Sequence, residues 1–231
     1  PIAYWASEAA HEAFLLGKSL GSIGYPRVGI QTGENAKFLR LWWEVPNTTS
    51  KYDARNVTEC QASHAKWFPY NKGGEYRKWY GNNDYVIDWA NDGEAVIGDA
   101  VKDKRKVMNL PNEIKFKPSI TWSKISSGSI AFRYKPQGHL FDVAGTSIFA
   151  AEADLDYLQA VANSSVILKI ASMLSPTLNF EVGQISTYPI LDASSEARDH
   201  VEQLVNSCRV LSQSDWDSQE ISWDFKRNPL V

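Results

Sequence analysis

The sequence predicts an α+β protein with a strand-rich, mainly antiparallel region flanked by helices and with further helices towards the C-terminus. Between Trp67 and Tyr134, aromatic and β-branched residues occur in short runs bounded by Gly, Asn, Pro or Ser, which is typical of short strands. From Asp154 onward the apolar residues instead recur at helical spacing. We therefore expect a strand-rich region at residues 1–150, including an N-terminal helix. A helical segment at 151–231 is expected to pack on it, as a second domain or as part of one continuous domain.

The N-terminal elements are predicted from capping residues and breakers. Ser7 is the expected N-cap of the first helix, an Ala- and Glu-rich run follows, and Gly17 is the expected stop. A strand-like run extends from Phe38 to Val45, and Pro46 ends it. In the middle region the predicted strands are EYRKWY (75–80), NDYVIDW (83–89), SITWSKI (119–125) and IAFRY (130–134).

Three helices are predicted in the C-terminal third. The pattern from Asp154 to Leu174 indicates two helices with a break at Asn163-Ser164, and Pro176 ends the second. A last amphipathic helix is predicted over about Ser195–Leu211. Its apolar stripe consists of Ala197, Val201, Leu204, Val205 and Cys208. The tail SDWDSQEISWDFKRNPL is expected to be irregular.

The composition is that of a folded globular protein. Of 231 residues, 43% are hydrophobic and 12% aromatic. No stretch reaches the roughly 20 apolar residues of a membrane-spanning helix, and no signal-peptide pattern opens the chain. Cys60 and Cys208 are expected to be free thiols in a reducing cytoplasm. Because the chain starts at Pro1, we expect it to be part of a longer protein.

Charge is distributed unevenly along the chain. Residues 64–135 hold 13 basic and 8 acidic residues, a balance of +5, whereas residues 151–231 hold 5 basic and 12 acidic residues, a balance of −7. A basic middle region favours contact with a polyanion, and an acidic end favours solvent or a protein partner. Ordinary variation of surface charge is the alternative.

Common nucleotide-binding motifs are absent. Gly17-Lys18-Ser19 resembles the end of a P-loop, but the glycine required five residues earlier is replaced by Glu12. The spacing of Gly21, Gly24 and Gly29 does not match G-x-G-x-x-G, so no dinucleotide or S-adenosylmethionine fingerprint is present.

The sequence also lacks a catalytic or metal-binding constellation. The four histidines have no Cys or carboxylate at metal-ligand spacing, and no G-x-S-x-G elbow occurs. Asp215, Asp217 and Glu220 are compatible with an acidic metal site, although a solvated connecting tail is favoured. We expect no catalytic residue, metal or cofactor in this chain.

The strongest local pattern is HAKWFPYNKGGEYRKWYGNNDY. Six aromatic residues between Trp67 and Tyr80 are interleaved with Lys72, Arg77 and Lys78, and Gly73-Gly74 permits a tight turn or a close backbone approach. Cations neutralise phosphates, and rings pack on sugars or bases, so the segment suits nucleic-acid binding. A hairpin with rings in the core and charges in water fits the pattern equally well.

A second candidate is ITWSKISSGSIAFRY. Its serines lie beside Lys124 and Arg133, a combination that suits phosphate contacts. A plain β-turn is equally compatible with it.

Together, these segments resemble the C-terminal region of the PglX adenine methyltransferases of BREX phage-defence systems. More broadly, they resemble the target-recognition domains of single-chain type II restriction-modification methyltransferases. The matching pieces are GIQTGENAKFLRLWWEV (Gly29–Val45), KWFPYNKGGEYRKWYGN (Lys66–Asn82), ITWSKISSGSIAFRY (Ile120–Tyr134), FDVAGTSIF (Phe141–Phe149), LSPTLNFEVGQISTYPI (Leu174–Ile190) and DWDSQEISWDF (Asp215–Phe225). They occur in the family's order.

The resemblance implies that catalysis belongs to an N-terminal methyltransferase domain of the same parent chain. That domain would hold S-adenosylmethionine and an N-P-P-Y motif that positions a flipped-out adenine. The present chain has no N-P-P-Y motif and would choose the site on double-stranded DNA. The piece Leu174–Ile190 would have a structural role.

By the same resemblance, two blocks would lie against the DNA. The expected DNA-binding residues are Lys66, Trp67, Tyr70, Asn71, Lys72, Gly73, Gly74, Arg77, Lys78, Trp79, Tyr80, Ser123, Lys124, Ser126, Ser127 and Arg133. The alternative function is a protein-interaction module whose acidic, Trp-rich tail docks other subunits of the defence complex.

Overall fold

The computed structural model describes residues 6–103, 110–126, 128–174 and 178–230. The helices are α1 (Glu8–Leu16), α2 (Leu20–Ile23), α3 (Asn35–Phe38), α4 (Val57–Ala62), α5 (Ala90–Lys102), α6 (Glu152–Asn163), α7 (Ser165–Leu174), α8 (Val182–Ile185) and α9 (Ser195–Asp217). The strands are β1 (Lys18–Ser19), β2 (Tyr25–Arg27), β3 (Leu39–Leu41), β4 (Trp67–Asn71), β5 (Tyr85–Asp88), β6 (Ser119–Trp122), β7 (Phe132–Lys135), β8 (Leu140–Phe141), β9 (Ser147–Phe149) and β10 (Pro189–Ile190). Short 3-10 helices lie at Trp42–Glu44 and Asn47–Thr49.

The protein is α+β, as predicted, and its strand pairing is mainly antiparallel. In the described part of the chain, β1 pairs with β10, and two four-stranded sheets have the orders β2-β9-β6-β7 and β3-β5-β4-β8. The pairing of β4 with β8 is parallel, while the other pairs within the named strands are antiparallel. We call these the β7 sheet and the β4 sheet.

Several predicted helix boundaries are confirmed. The Ser7 side chain accepts a hydrogen bond from the Ala10 amide at 3.3 Å and caps α1, which ends at Gly17. Helices α6 and α7 are separated at Ser164, where the predicted break lies. The predicted stop at Pro176 lies outside the described residues.

Two strand predictions need correction. Of the run Phe38–Val45, only Leu39–Leu41 is a strand, because the Glu44 carboxylate accepts the Leu41 N–H at 2.8 Å and closes a 3-10 turn. The run EYRKWY is not a strand either. Its Trp79 makes an isolated parallel bridge to Arg133, and a positive φ of 71° at Trp79 prevents an extended strand there.

The last helix is longer than predicted. Helix α9 continues through Asp217, so the start of the tail is helical. Val205 and Trp216 are its buried residues, whereas Ala197 and Leu204 of the predicted stripe are exposed. Positions 205 and 216 share a face because they are separated by about three helical turns.

Helix α5 is not among the elements predicted from the sequence. At its N-terminal end Asn91, Asp92 and Gly93 all have positive φ, which is the signature of a turn. The amphipathic residues that follow this kink continue to Lys102.

The β7 sheet has one apolar and one polar face. Trp122, Phe132 and Ile148 belong to a buried hydrophobic cluster that includes Leu158 of α6 and Ile170 of α7. Because this cluster joins residues on both sides of position 150, the helical segment packs directly on the sheet. The predicted division at residue 150 stays a prediction.

The opposite face of the β7 sheet forms a buried polar layer. Thr121 and Arg133 are register partners on neighbouring strands, and Ser119 pairs with Lys135 in the same way; all four side chains are buried. The β4 sheet has its own hydrophobic cluster, which includes Phe68.

Cys60 and Cys208 are free thiols, as predicted. Burial raises the pKa of the Cys60 thiol to about 11. Among the described residues, none of the helices combines the length and the apolar character needed to cross a membrane.

Candidate nucleic-acid interface

The predicted aromatic and basic segment divides into a buried strand and a partly buried loop whose exposed residues are 74–76. Its first part is β4, and residues 72–84 form a long connection to the antiparallel strand β5; we call this connection loop 72–84. Residues 123–130, between β6 and β7, form a second connection, which we call turn 123–130. The Ser123 hydroxyl donates a hydrogen bond to the Gly74 carbonyl at 2.7 Å, so the two predicted DNA-binding blocks meet.

Loop 72–84 has an unusual backbone conformation. Residues with positive φ are Gly73, Gly74, Trp79, Gly81 and Asn82. At Gly73 an added Cβ would lie 2.7 Å from the Ala144 carbonyl oxygen, so this position requires glycine. A positive φ at Trp79 costs about 1 kcal/mol or more and persists only where surrounding contacts impose it.

Arg133 of β7 anchors loop 72–84 from the protein interior. Its side chain is 1% exposed, and its guanidinium donates to the Arg77 carbonyl at 3.3 Å and to the Ser123 hydroxyl at 3.1 Å. Its Nε has no hydrogen-bond partner among the described residues. Burial lowers the pKa of Arg133 to about 10, with a further contribution from Arg77, so the group stays protonated at neutral pH.

Lys135 holds the other end of the loop. Its side chain is fully buried, and Nζ donates to the carbonyls of Gly81 and Asn82 at 2.9 Å each and to the Asn83 side-chain oxygen. Burial, together with the neighbouring Arg133, lowers the pKa of Lys135 well below its usual value.

Further contacts fix the middle of the loop. The Trp79 amide donates to the Phe132 carbonyl at 3.0 Å, and the Trp79 carbonyl accepts from the Tyr134 amide at 2.7 Å. The Gln159 side chain of α6 also donates to the Trp79 carbonyl, at 3.0 Å. Loop 72–84 therefore covers the edge strand of the β7 sheet with a defined shape.

Many of the aromatic and polar residues predicted to bind DNA are buried. Trp67, Tyr70, Asn71 and Tyr80 are all buried. The Tyr70 hydroxyl donates to the Ile30 carbonyl at 2.9 Å or to Asp142 at 3.0 Å. Burial raises the pKa of Tyr70 well above its usual value.

Asn71 and the serines of turn 123–130 are also engaged inside the chain. The Asn71 side-chain amide donates to Thr121 and, at 2.7 Å, to the Gly145 carbonyl. The Ser126 hydroxyl donates to the Ser129 carbonyl at 3.1 Å. Ser127 lies outside the described residues.

Each exposed or half-exposed cation predicted to bind DNA has an internal partner. The pairs are Lys66–Asp88 at 3.4 Å, Lys72–Asp142 at 3.5 Å, Arg77–Asp215 at 2.7 Å, Lys124–Glu181 at 3.1 Å, and Lys78 with the Asn163 carbonyl at 3.1 Å. Lys66 lies at the opposite end of β4 from loop 72–84, roughly 20 Å from Lys72 along the extended chain. The other cations lie in or next to loop 72–84 and turn 123–130.

Lys135, Asn82 and Asn83 anchor the loop but are not among the residues predicted from the sequence. The signal for Lys135 was present, because apolar and basic residues alternate along FRYK and place Arg133 and Lys135 on one face of the strand. The contacts of Asn82 and Asn83 depend on tertiary proximity and leave no pattern in the sequence.

One acidic group has the geometry to attract a cation. The carboxylate oxygens of Glu34, Asp99 and Asp103 lie within 4.8 Å of one another, and Lys37 forms an ion pair with Asp99. Lysine already compensates part of this charge, so the group is an ordinary surface cluster.

This chain is similar to a segment of two larger, known proteins. It is 40% identical over 236 aligned residues to the adenine-specific methyltransferase PglX of Lacticaseibacillus casei (strain Zhang). It is 35% identical over 236 aligned residues to the adenine-specific methyltransferase BrxX of Escherichia coli O9:H4 (strain HS). The chain is similar, from end to end, to one segment of adenine-specific methyltransferases. It spans about a fifth of their length, 19% and 18% respectively. No protein-family model matches the chain.

Proposed function

We propose that this chain is the DNA-recognition segment of an adenine-specific DNA methyltransferase. The observation that carries the proposal is its end-to-end similarity to about a fifth of two adenine-specific methyltransferases. An N-P-P-Y motif does not occur in the chain. In our proposal the catalytic domain, with its S-adenosylmethionine site, belongs to the remainder of the parent protein, and this segment selects the adenine.

The proposed partner is double-stranded DNA, bound by the surface around loop 72–84 and turn 123–130. Lys72, Arg77, Lys78 and Lys124 would contact phosphates there. The ion pairs Arg77–Asp215 and Lys124–Glu181 are partly exposed, and such pairs typically contribute about 0–1 kcal/mol, so a phosphate can replace the carboxylate. Lys72 would bridge the buried Asp142 and a phosphate, and Lys78 would exchange the Asn163 carbonyl for a phosphate. Buried Tyr70, Asn71, Tyr80 and Arg133 would support this surface from the protein interior, whereas Trp67 lies at the far end of β4.

We further propose a cytoplasmic BREX-type phage-defence system as the setting, with the N-terminal methyltransferase domain of the same chain as the main partner. The resemblance of the sequence pieces to that family supports this assignment.

A protein-docking role is the second candidate. The tail supports it less than its composition indicates, because Trp216 is buried and Trp223 packs near Tyr52 and His139, with ring centroids 5.1 and 5.8 Å away. Support comes instead from exposed apolar side chains such as Leu15 and Leu16 of α1 and Val166 of α7.

Substitution of cations distinguishes the two functions. The combined change Lys72→Ala, Arg77→Ala and Lys78→Ala in the full-length protein is expected to weaken duplex binding by at least about 10-fold at moderate salt and to reduce the salt dependence of binding. The matched control removes the same charge elsewhere, with Lys18→Ala, Lys51→Ala and Lys169→Ala. Equal binding by both folded variants would contradict DNA recognition by this surface and favour protein docking.

A further inference from the structure

The tip of loop 72–84 differs from the rest of the loop in what its side chains contact. Tyr76 is 56% exposed, and Glu75 is also exposed. Within the described part of the chain, neither side chain forms a hydrogen bond or an ion pair. The neighbouring cations Lys72 and Arg77 are partly buried and paired.

The backbone that carries these two side chains is fixed on both sides. The Gly74 carbonyl accepts from the Ser123 hydroxyl at 2.7 Å, and the Glu75 carbonyl accepts from the Asn82 side-chain amide at 2.9 Å. An added Cβ at Gly74 would lie 2.8 Å from the Asn82 side chain, so the tip packs closely against the C-terminal part of the loop. A tip with a preformed backbone loses little conformational entropy on binding.

A carboxylate at this position has a specific chemical consequence. Phosphates repel Glu75, so it weakens binding to DNA of any sequence. A carboxylate can, however, accept hydrogen bonds from the exocyclic amine of cytosine in the major groove. Tyr76 offers an uncharged ring that can contact a thymine methyl group in the major groove. An acidic and an aromatic side chain side by side therefore suit base reading better than phosphate binding.

We infer that Glu75 and Tyr76 are the base-reading residues of this chain, presented to the major groove by an anchored loop. The paired cations around these two residues bind DNA phosphates and so position the loop on the duplex. This inference rests on the proposed DNA-recognition function and assigns its specificity to two residues outside the cationic set.

The test uses Glu75→Ala and Tyr76→Ala in the full-length protein. The methylated motif is read by sequencing genomic DNA from expressing cells, and binding is measured on motif-bearing and scrambled duplexes. For Glu75→Ala we expect binding to scrambled duplex to strengthen by about 2- to 5-fold, because a repulsive charge is removed. Preference for the motif is expected to fall by about 10-fold or more and the methylated motif to become degenerate. Tyr76→Ala is expected to lower affinity for the motif-bearing duplex by about 5-fold or more, because an apolar contact to a base edge is removed.

Glu12→Ala is the matched control. Glu12 is exposed on α1, so its removal changes the net charge equally while leaving the loop intact. If the wild-type protein methylates a motif, and both tip variants keep that motif and its preference over scrambled DNA, the base-reading assignment is wrong while DNA recognition stands. If the wild-type protein methylates no motif, the proposed function is wrong and the assignment fails with it.

Discussion

The two faces of strand β7 contribute different properties to the molecule. Phe132 points into the apolar cluster under α6 and α7, where burial of hydrocarbon stabilises the fold. Arg133 and Lys135 point to the other face, where their hydrogen bonds define the shape of loop 72–84. Burying two cations adds little net stability but leaves few alternative positions for the loop. Stability and loop conformation therefore depend on alternate residues of one strand.

The largest effect on stability is expected on the apolar face. Trp122→Ala removes a fully buried ring that packs 5.9 Å from Phe132, and its Nε1–H donates to the Phe180 carbonyl at 2.9 Å. We expect a loss of about 4 kcal/mol in the free energy of unfolding, measured by urea denaturation. Trp43→Ala, at a half-exposed ring, is the control. Equal losses in the two variants would contradict the assignment of stability to this face.

The polar face is tested by Lys135→Met. The change leaves the Gly81 and Asn82 carbonyls without their donor, and we expect a loss of about 2 kcal/mol. Amide hydrogen exchange in loop 72–84 should accelerate more than exchange in β6. Lys117→Met, at an exposed lysine, should change the unfolding free energy by less than about 0.5 kcal/mol. If Lys135→Met left both the unfolding free energy and amide hydrogen exchange in loop 72–84 unchanged, Lys135 would not be an anchor of the loop.

The pH dependence of stability tests a second buried group. Burial, reinforced by Lys135, lowers the pKa of His139 from 6.5 to about 3, so the folded protein binds fewer protons than the unfolded chain between those values. The contribution of His139 to the free energy of unfolding is therefore complete above pH 6.5 and declines as the pH falls towards 3. At pH 5 we expect a loss of about 2 kcal/mol relative to pH 7, and His139→Gln should remove that part of the slope. His11→Gln on α1 should keep the wild-type slope; a wild-type slope in His139→Gln would disprove the assignment.

The smallest effect on stability is expected from the partly exposed pair Arg77–Asp215. Breaking it should change the unfolding free energy by less than about 1 kcal/mol. The two substitutions should nevertheless change duplex affinity in opposite directions. Asp215→Ala should strengthen binding because it releases Arg77 for phosphate contact, whereas Arg77→Ala should weaken binding because it removes the cation. Fluorescence anisotropy at fixed salt measures both. A parallel response in the two variants would exclude competition between Asp215 and DNA.

The sequence was sufficient to predict the α+β class, helices α1, α6 and α7, and most strands of the middle region, because capping residues and local periodicity determine them. It was insufficient for loop 72–84. The aromatic content of EYRKWY favours a strand, but hydrogen bonds from Arg133 and Lys135, more than 50 residues away, hold these residues in another conformation. The same tertiary contacts explain why Arg133, predicted as a DNA ligand from its charge, lies beneath the loop.

Exchange of segments tests the central proposal most directly. The segment of L. casei PglX that aligns with this chain would be replaced by residues 1–231, and the methylated motif of the chimera would be read by genome sequencing. If this chain selects the site, the chimera methylates the motif of the parent protein of this chain. A chimera that still methylates the original PglX motif would contradict DNA recognition by this segment.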